Sequence, residues 1–318
     1  MSGFMENESA QTLDIAADKA QYDSAARKLV AQKAVLAYIL KSAMDEFVHI
    51  PVKQIAEEMI EGTPQIAEAA VHQDTPGAPR AGSVKMSGTD RVRDMATEDV
   101  TIREGKVLYD IRFVVRMPQN GEQIEIIVNV ELQSRDTPGY PIPKRGIYYG
   151  SRLISAQRGT VFKNQEYEKI NKVVSIWICE NSAISRSDTI NEYYFCENRR
   201  RGNYQEERKN YDLMRVIVMR LGSRGEESED DAIRLLSKVF SENITADDKK
   251  RVLSEEFNIA VTDSIEQEVE RMCNLSDGLE ERCMARGFAK GRAAGAMETL
   301  FSLVKKGLLT VSAAAQQA

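Results

Sequence analysis

The chain has 318 residues, of which 42% are hydrophobic and 29% charged, and a formal net charge of −6; this is the balance of an ordinary globular protein of one large domain or two. That charge argues against a surface binding polyanions over its whole extent but leaves room for a local basic patch. Four dispersed cysteines without a CxxC pair, and two histidines (His49 and His72), argue against a disulfide framework or a zinc site. No apolar run approaches the ~20 residues of a membrane span and the N-terminus lacks a signal peptide's basic and apolar regions, so a cytoplasmic protein with no membrane partner is expected.

Residues 1–18 are polar and small and are expected to be disordered. From 19 to 48, Leu29, Val30, Val35, Leu36, Ile39, Leu40, Met44 and Phe47 trace the apolar stripe of an amphipathic helix, and Val52–Ile60 reads as a further helical turn or two. The Gly-, Pro- and Ser-rich run HQDTPGAPRAGSVKMSGTDRVR opens a long loop over 72–96.

The stretch from Lys106 to Gln133 reads as one β-hairpin. Val107, Tyr109, Ile111, Phe113 and Val115 alternate with more polar residues in the first arm, and Ile124, Ile126, Val128, Val130 and Leu132 do so in the second. Asn120-Gly121 between them is the strongest short-range hairpin signal. Counting outward from that turn, Gln119 faces Glu122, Asp110 faces Glu131 and Leu108 faces Gln133. Opposed residues have Cβ atoms roughly 4.5–5.5 Å apart, and like charges there repel. Two carboxylates on one face therefore want a cation, with Mg²⁺ or Mn²⁺ the usual one. An equally weighted reading is a solvated sheet face on which Asp110 and Glu131 lie near Arg112 and Arg116.

The three prolines of DTPGYPIPK place that segment outside regular structure, and a helix follows from about Arg145 to Gln157. Gly146 and Gly150 leave one of its sides bare for close packing; Tyr148, Arg152 and Ser155 share a face, and Lys144 and Arg145 mark the N-terminal end. Tyr148 and Tyr149 read equally as core aromatics or as substrate contacts. From Arg135 to Lys172 cations outnumber acids, which makes this the local basic patch. Strands are expected at Lys172–Cys179, with Cys179 a buried thiol, at Glu192–Cys196 and at Leu213–Leu221. The triplet Arg199-Arg200-Arg201 reads as a solvated loop.

Helices at Asp231–Phe240 and Ala246–Phe257 form a segment over 228–260. Residues 261–318 read as a long helical arm, where near-heptad Ile265, Val269, Met272 and Leu279 give way to Gly287, Gly291 and Gly295. Small residues at that spacing let helices approach closely, as in a homo-oligomer, and a frayed low-complexity tail is the competing reading. Thr310 is placed to cap a last helix.

The segments KLVAQKAVLAYILKSAMDEF (28–47), MIEGTPQIAE (59–68), TEDVTIREGKVLYDIRF (97–113), VNVELQ (128–133), GYPIPKRGIYYGSRLISAQRG (139–159) and YEKINKVVSIWIC (167–179), with the glycine-punctuated tail, together resemble the PD-(D/E)XK nuclease superfamily. They look more closely like its bacterial group of recombination-promoting nucleases and transposase-related proteins. The resemblance implies an α/β fold: a restriction-endonuclease-like core over 19–222, with a central mixed β-sheet flanked by helices, and a C-terminal helical extension. It implies hydrolysis of DNA phosphodiesters with Mg²⁺ or Mn²⁺. By the same resemblance Asp110 is the metal-binding aspartate, Glu131 the second carboxylate, and Gln133 stands where lysine is usual. Glu98 or Asp99 is a candidate extra ligand and Glu46 a weaker one, each read also as a surface or cap carboxylate. Lys144, Arg145, Tyr148 and Arg152 would meet the DNA backbone. A glutamine orients by hydrogen bonds but brings no charge; either the metal carries more, or Arg145 stands in, or activity is lost. The expected function is a metal-dependent DNA endonuclease associated with recombination or mobile elements; the alternative is a DNA-binding or assembly module that kept the fold and lost the reaction.

Overall fold

The apolar stripe between 19 and 48 folds as two helices, α1 (Ser2–Val30) and α2 (Lys33–Ala43), with a turn at Ala31-Gln32 between them. The computed structural model describes residues 2–67, 98–101, 105–119, 122–222 and 224–317; the loop expected at 72–96 and the turn Asn120-Gly121 lie outside them. The N-terminus expected to be disordered instead extends α1 back to Ser2. Its Ala, Gln and Glu residues are good helix formers even where no apolar stripe directs them. The next helical turns are α3 (Val52–Gln54) and a wider turn over Ile55–Met59. Leu29, Leu36, Ile39, Leu40, Phe47 and Ile55 are buried from this layer.

The strands are β1 (Gln65–Ile66), β2 (Glu98–Thr101), β3 (Gly105–Leu108), β4 (Ile111–Gln119), β5 (Glu122–Arg135), β6 (Lys172–Asn181), β7 (Thr189–Tyr194) and β8 (Met214–Arg220). Six of them form a central mixed sheet in the order β1-β4-β5-β6-β8-β7, in which β5, β6 and β8 are parallel and the remaining pairs antiparallel. The chain is thus α/β, with the sheet flanked by helices. Val128, Val130, Val174, Ile176 and Ile217 are fully buried on one sheet face, and Trp177, Val216 and Val218 on the other. A sheet covered on both sides explains why β6 and β8 read as nearly continuous apolar runs.

The hairpin register is the expected one: Gln119 pairs with Glu122, Arg116 with Glu125 and Ile111 with Val130. Its first arm, however, is not one strand. The chain leaves the central sheet at Tyr109-Asp110, and β3 pairs instead with β2 in a separate two-stranded sheet, so Leu108 faces Glu98 rather than Gln133. The break has a local cause. Asp110 Oδ2 accepts the Leu132 N–H at 3.0 Å, so a side chain takes a partner that a strand backbone would otherwise have.

Between β5 and β6 runs α4 (Ile142–Ser155), which starts earlier than the prolines suggested. Pro143 lies in the first turn, where no intrahelical N–H is required. This helix packs on β6 and β8 through Gly146 and Gly150. A Cβ at Gly146 would overlap the methyls of Val216 and sit 2.9 Å from Trp177 Nε1; one at Gly150 would meet the flexible Met214 thioether at 2.8 Å. Gly146→Ala is therefore expected to cost about 1–3 kcal/mol through overpacking, and Gly150→Ala clearly less, in urea denaturation of the two variants.

The remaining helices are α5 (Asp231–Phe240), α6 (Ala246–Arg251) with a wider turn to Glu256, α7 (Asp263–Lys305) and α8 (Val311–Gln317). Asp230 caps α5 through the Ile233 N–H at 2.9 Å, and Thr310 caps α8 through the Ala313 N–H at 3.2 Å. The chain divides into two packed units, Asp23–Glu270 and Met1–Tyr22 with Arg271–Ala318. The 228–260 helices belong to the first: the Tyr38 hydroxyl of α2 donates to the Phe257 carbonyl at 2.8 Å, and the two rings meet edge to face. In the second unit α7 continues through Gly287, Gly291 and Gly295, where an added Cβ would meet nothing within 4 Å, and exposes Phe288 and Phe301. No helix among the described residues is long and apolar enough to cross a membrane.

Candidate functional site

At the point where β4 begins, two carboxyl groups are tied to each other's backbone. The Asp110 N–H donates to Glu131 Oε1 at 3.3 Å, while Asp110 Oδ2 accepts from Leu132 N–H. The register of β4 and β5, carried one step past Ile111–Val130, puts these residues opposite one another. Glu131 is 4% exposed, whereas the Asp110 side chain retains 22% of its surface and forms the open edge of the pair. Asn129, fully buried two residues before Glu131 on the same strand face, donates to Glu131 Oε1 at 3.2 Å; its own Oδ1 meets no partner.

Burial raises the pKa of Asp110, against the opposing pull of Arg27 and of the Leu132 N–H. Glu131 is pushed well above the usual carboxylate range by burial first and by the charge of Asp110 second, with Arg145 and Asn129 opposing. Two acids in one dry place, each disfavouring the other's ionisation, form a strained pair that a cation would relieve. The solvated-face reading fails here, because Glu131 is buried. Arg116 is engaged elsewhere, with Glu61 at 2.6 Å and Glu125.

The cation that does meet the pair comes from α1 and carries no local signal of that role: Arg27 Nη1 lies 3.3 Å from Asp110 Oδ1. Beside the pair, Gln133 is half-buried and its Oε1 accepts the Tyr140 hydroxyl at 3.3 Å. That hydroxyl in turn accepts from Arg145 Nη1, and Arg145 Nη2 donates to Tyr149. The guanidinium of Arg145 stands about 5 Å from the ring centroids of Tyr140, Tyr149 and Trp177. An aromatic cage therefore holds one positive charge next to the acid pair, and Tyr140 links it to the amide.

The other expected residues divide. Lys144 is exposed and Tyr148 is 42% exposed on α4, whereas Arg152 is only 3% exposed and donates to the Tyr148 hydroxyl at 3.1 Å. Its place is under the surface, a correction to its reading as a backbone contact. Tyr149 is a core aromatic, edge to face with Tyr109. The backbone of Glu98 pairs with Leu108, two residues from Asp110, and that of Asp99 with Val107; both side chains lie outside the described residues. Glu46 is not brought to the site: it bonds Lys172 at 2.7 Å and Arg215 at 3.4 Å, at the other end of β6. Cys179 is fully buried and burial pushes its thiol up to about 12, which excludes a thiolate nucleophile there at neutral pH.

Among the described residues no group of three or more His, Cys, Asp and Glu is arranged to hold a metal ion. Two carboxylates suffice for Mg²⁺, which usually keeps several waters and binds one or two carboxylates plus substrate phosphates. Hard oxygen donors in a strained acid pair, with an unpartnered buried amide oxygen at Asn129 beside them, fit that ion. The chain matches no family model, and neither characterised proteins nor solved structures provide a match.

Proposed function

We propose that the chain is a metal-dependent DNA endonuclease on a restriction-endonuclease-like core, with Asp110, Glu131 and Gln133 at its centre. The observation that carries this reading is the pair of buried Glu131 and part-buried Asp110 at the β4–β5 junction of a mixed sheet, held by reciprocal bonds to backbone. Asp110 and Glu131 would hold Mg²⁺ or Mn²⁺, and Glu98 is the proposed extra ligand. When bound, such an ion lowers the pKa of water and offsets charge on a phosphoryl group.

The chain's own groups divide the rest of the work. With Gln133 Oε1 occupied by Tyr140, the Gln133 Nε2 is left to donate to a phosphate oxygen. Arg145 supplies the positive charge that a lysine at 133 would have brought. Lys144 and Tyr148 are exposed on α4 and would meet the DNA backbone, contacts that position without specifying sequence. Association with recombination or mobile elements follows from the family resemblance. Self-association through α7 belongs to the same proposal, supported by its open glycine face and exposed Phe288 and Phe301.

The direct test is nicking of supercoiled plasmid by the purified full chain with Mg²⁺, against an EDTA control; no nicking with any of Mg²⁺, Mn²⁺ and Co²⁺ would overturn the reading. Tyr140→Phe is expected to free the Gln133 amide oxygen and to remove two hydrogen bonds, one to Gln133 and one from Arg145, each of about 0.5–1.5 kcal/mol. Turnover should fall roughly two- to tenfold, with duplex affinity in EDTA unchanged, as fluorescence anisotropy would show.

A second reading, a DNA-binding or assembly module without chemistry, is favoured by the ion pair that Arg27 already makes with Asp110. It requires duplex binding with no uptake of Mn²⁺, and titration calorimetry separates the two.

A further inference from the structure

Arg27 is 5% exposed, yet among the described residues its guanidinium donates from Nη1 to Asp110 Oδ1 while Nε and Nη2, both buried, find no hydrogen-bond acceptor. Buried donors of a charged group are seldom left unmade in a native protein, and where they are, an absent ligand is a physical explanation. The geometry narrows its chemistry. A guanidinium presents a planar fork that matches the oxygens of phosphate, and one edge of this fork is already turned to the acid pair. The carboxylate it touches is also the one the metal reading needs, and two cations on one carboxylate repel each other.

We propose that Arg27 is the resident cation of the acid pair, resting on Asp110 in the metal-free protein and taking a phosphodiester oxygen of bound DNA when a metal ion occupies the carboxylates. This rests on the endonuclease reading and deepens it. Arg27 makes the free protein a poor metal binder and makes metal uptake and DNA binding favour each other. Such coupling is reciprocal, since each ligand removes the same unfavourable contact for the other.

Three forms of the full chain test it: wild type, Arg27→Met, which keeps the stem and drops the charge, and Arg27→Lys, which keeps the charge and drops the fork. Mn²⁺ is titrated by calorimetry with and without a 5′-phosphorylated cleavage-product duplex, and a labelled duplex is titrated by anisotropy in EDTA across salt concentrations. Arg27→Met is expected to bind Mn²⁺ about tenfold more tightly than wild type without DNA, and its salt slope for duplex binding should drop by about one. Arg27→Lys should keep the weak Mn²⁺ binding and the salt slope while losing duplex affinity severalfold. If wild type takes up Mn²⁺ and Arg27→Met binds it no more tightly, the exchange is overturned and the metal reading stands. Should Arg27→Met fail to fold by circular dichroism, an Arg27→Lys with unaltered duplex affinity overturns the proposal in its place. Wild type taking up no Mn²⁺, with or without duplex, overturns the metal reading and the exchange together.

Discussion

Asp110→Ala is expected to abolish Mg²⁺-dependent nicking of plasmid DNA. The loss should exceed the ~10–100-fold that follows removal of a residue merely supporting a metal site. Asp110 is the more open of the two acids and the one through which an ion would enter. The alanine also strands Arg27, whose removal from a partner in a buried pair costs about 3–5 kcal/mol. A folded unit holds only about 5–15 kcal/mol in total. Asp110→Asn is therefore the necessary companion, because its amide oxygen still accepts the Leu132 N–H. Both variants should retain native circular dichroism and lose cleavage. Undiminished cleavage by either would remove Asp110 from the chemistry.

Glu131→Gln is expected to remove activity while making the metal-free protein more stable. Its carboxyl is raised well above the ordinary range by burial and by Asp110. A group whose proton is held more tightly in the folded state contributes stability that is complete below its unfolded pKa, and loses it as pH climbs through the folded value. In EDTA the wild type should accordingly lose stability from about pH 4.5, the unfolded glutamate range, upward. Glutamine is neutral throughout and escapes that loss. The gain at pH 8 should be about 0.5–2 kcal/mol, as at other strained functional positions, or several degrees in Tm. Saturating Mg²⁺ should stabilise the wild type and leave the variant nearly unmoved. A variant less stable than wild type in EDTA at pH 8 would show that the ionised Glu131 is a structural asset and not a strained ligand.

Much of the sheet was legible because its signals are local. Asn120-Gly121 and the reversed parity of the two arms set the register of β4 and β5 before any contact was known, and unbroken apolar runs marked β6 and β8. The break at Tyr109-Asp110 was not legible, because Val107 and Tyr109 before it and Ile111 and Phe113 after it are all buried at alternate positions, so alternation runs straight through the change of sheet. Asp110 and Glu131 were read as opposed, and so they are. The role of Arg27 depends on where α1 ends relative to β4, a long-range fact that no local pattern in RKLV encodes. Arg152 misled for the converse reason: its helical spacing put it with Tyr148, but spacing does not say how deep that face lies. Tyr140 was passed over inside a proline-rich connection whose composition hid a residue bonded to Gln133.

The crossed bonds between Asp110 and the Glu131-Leu132 segment bear on how any ion would be received. Because each carboxyl is anchored to the opposite main chain, the spacing between the acids follows the strands rather than two independently rotating side chains. Little rotamer freedom remains for an incoming ion to freeze, so uptake should carry a small entropic penalty for the protein. Selectivity would then come from how well an ion's radius and hydration suit a frame set in advance.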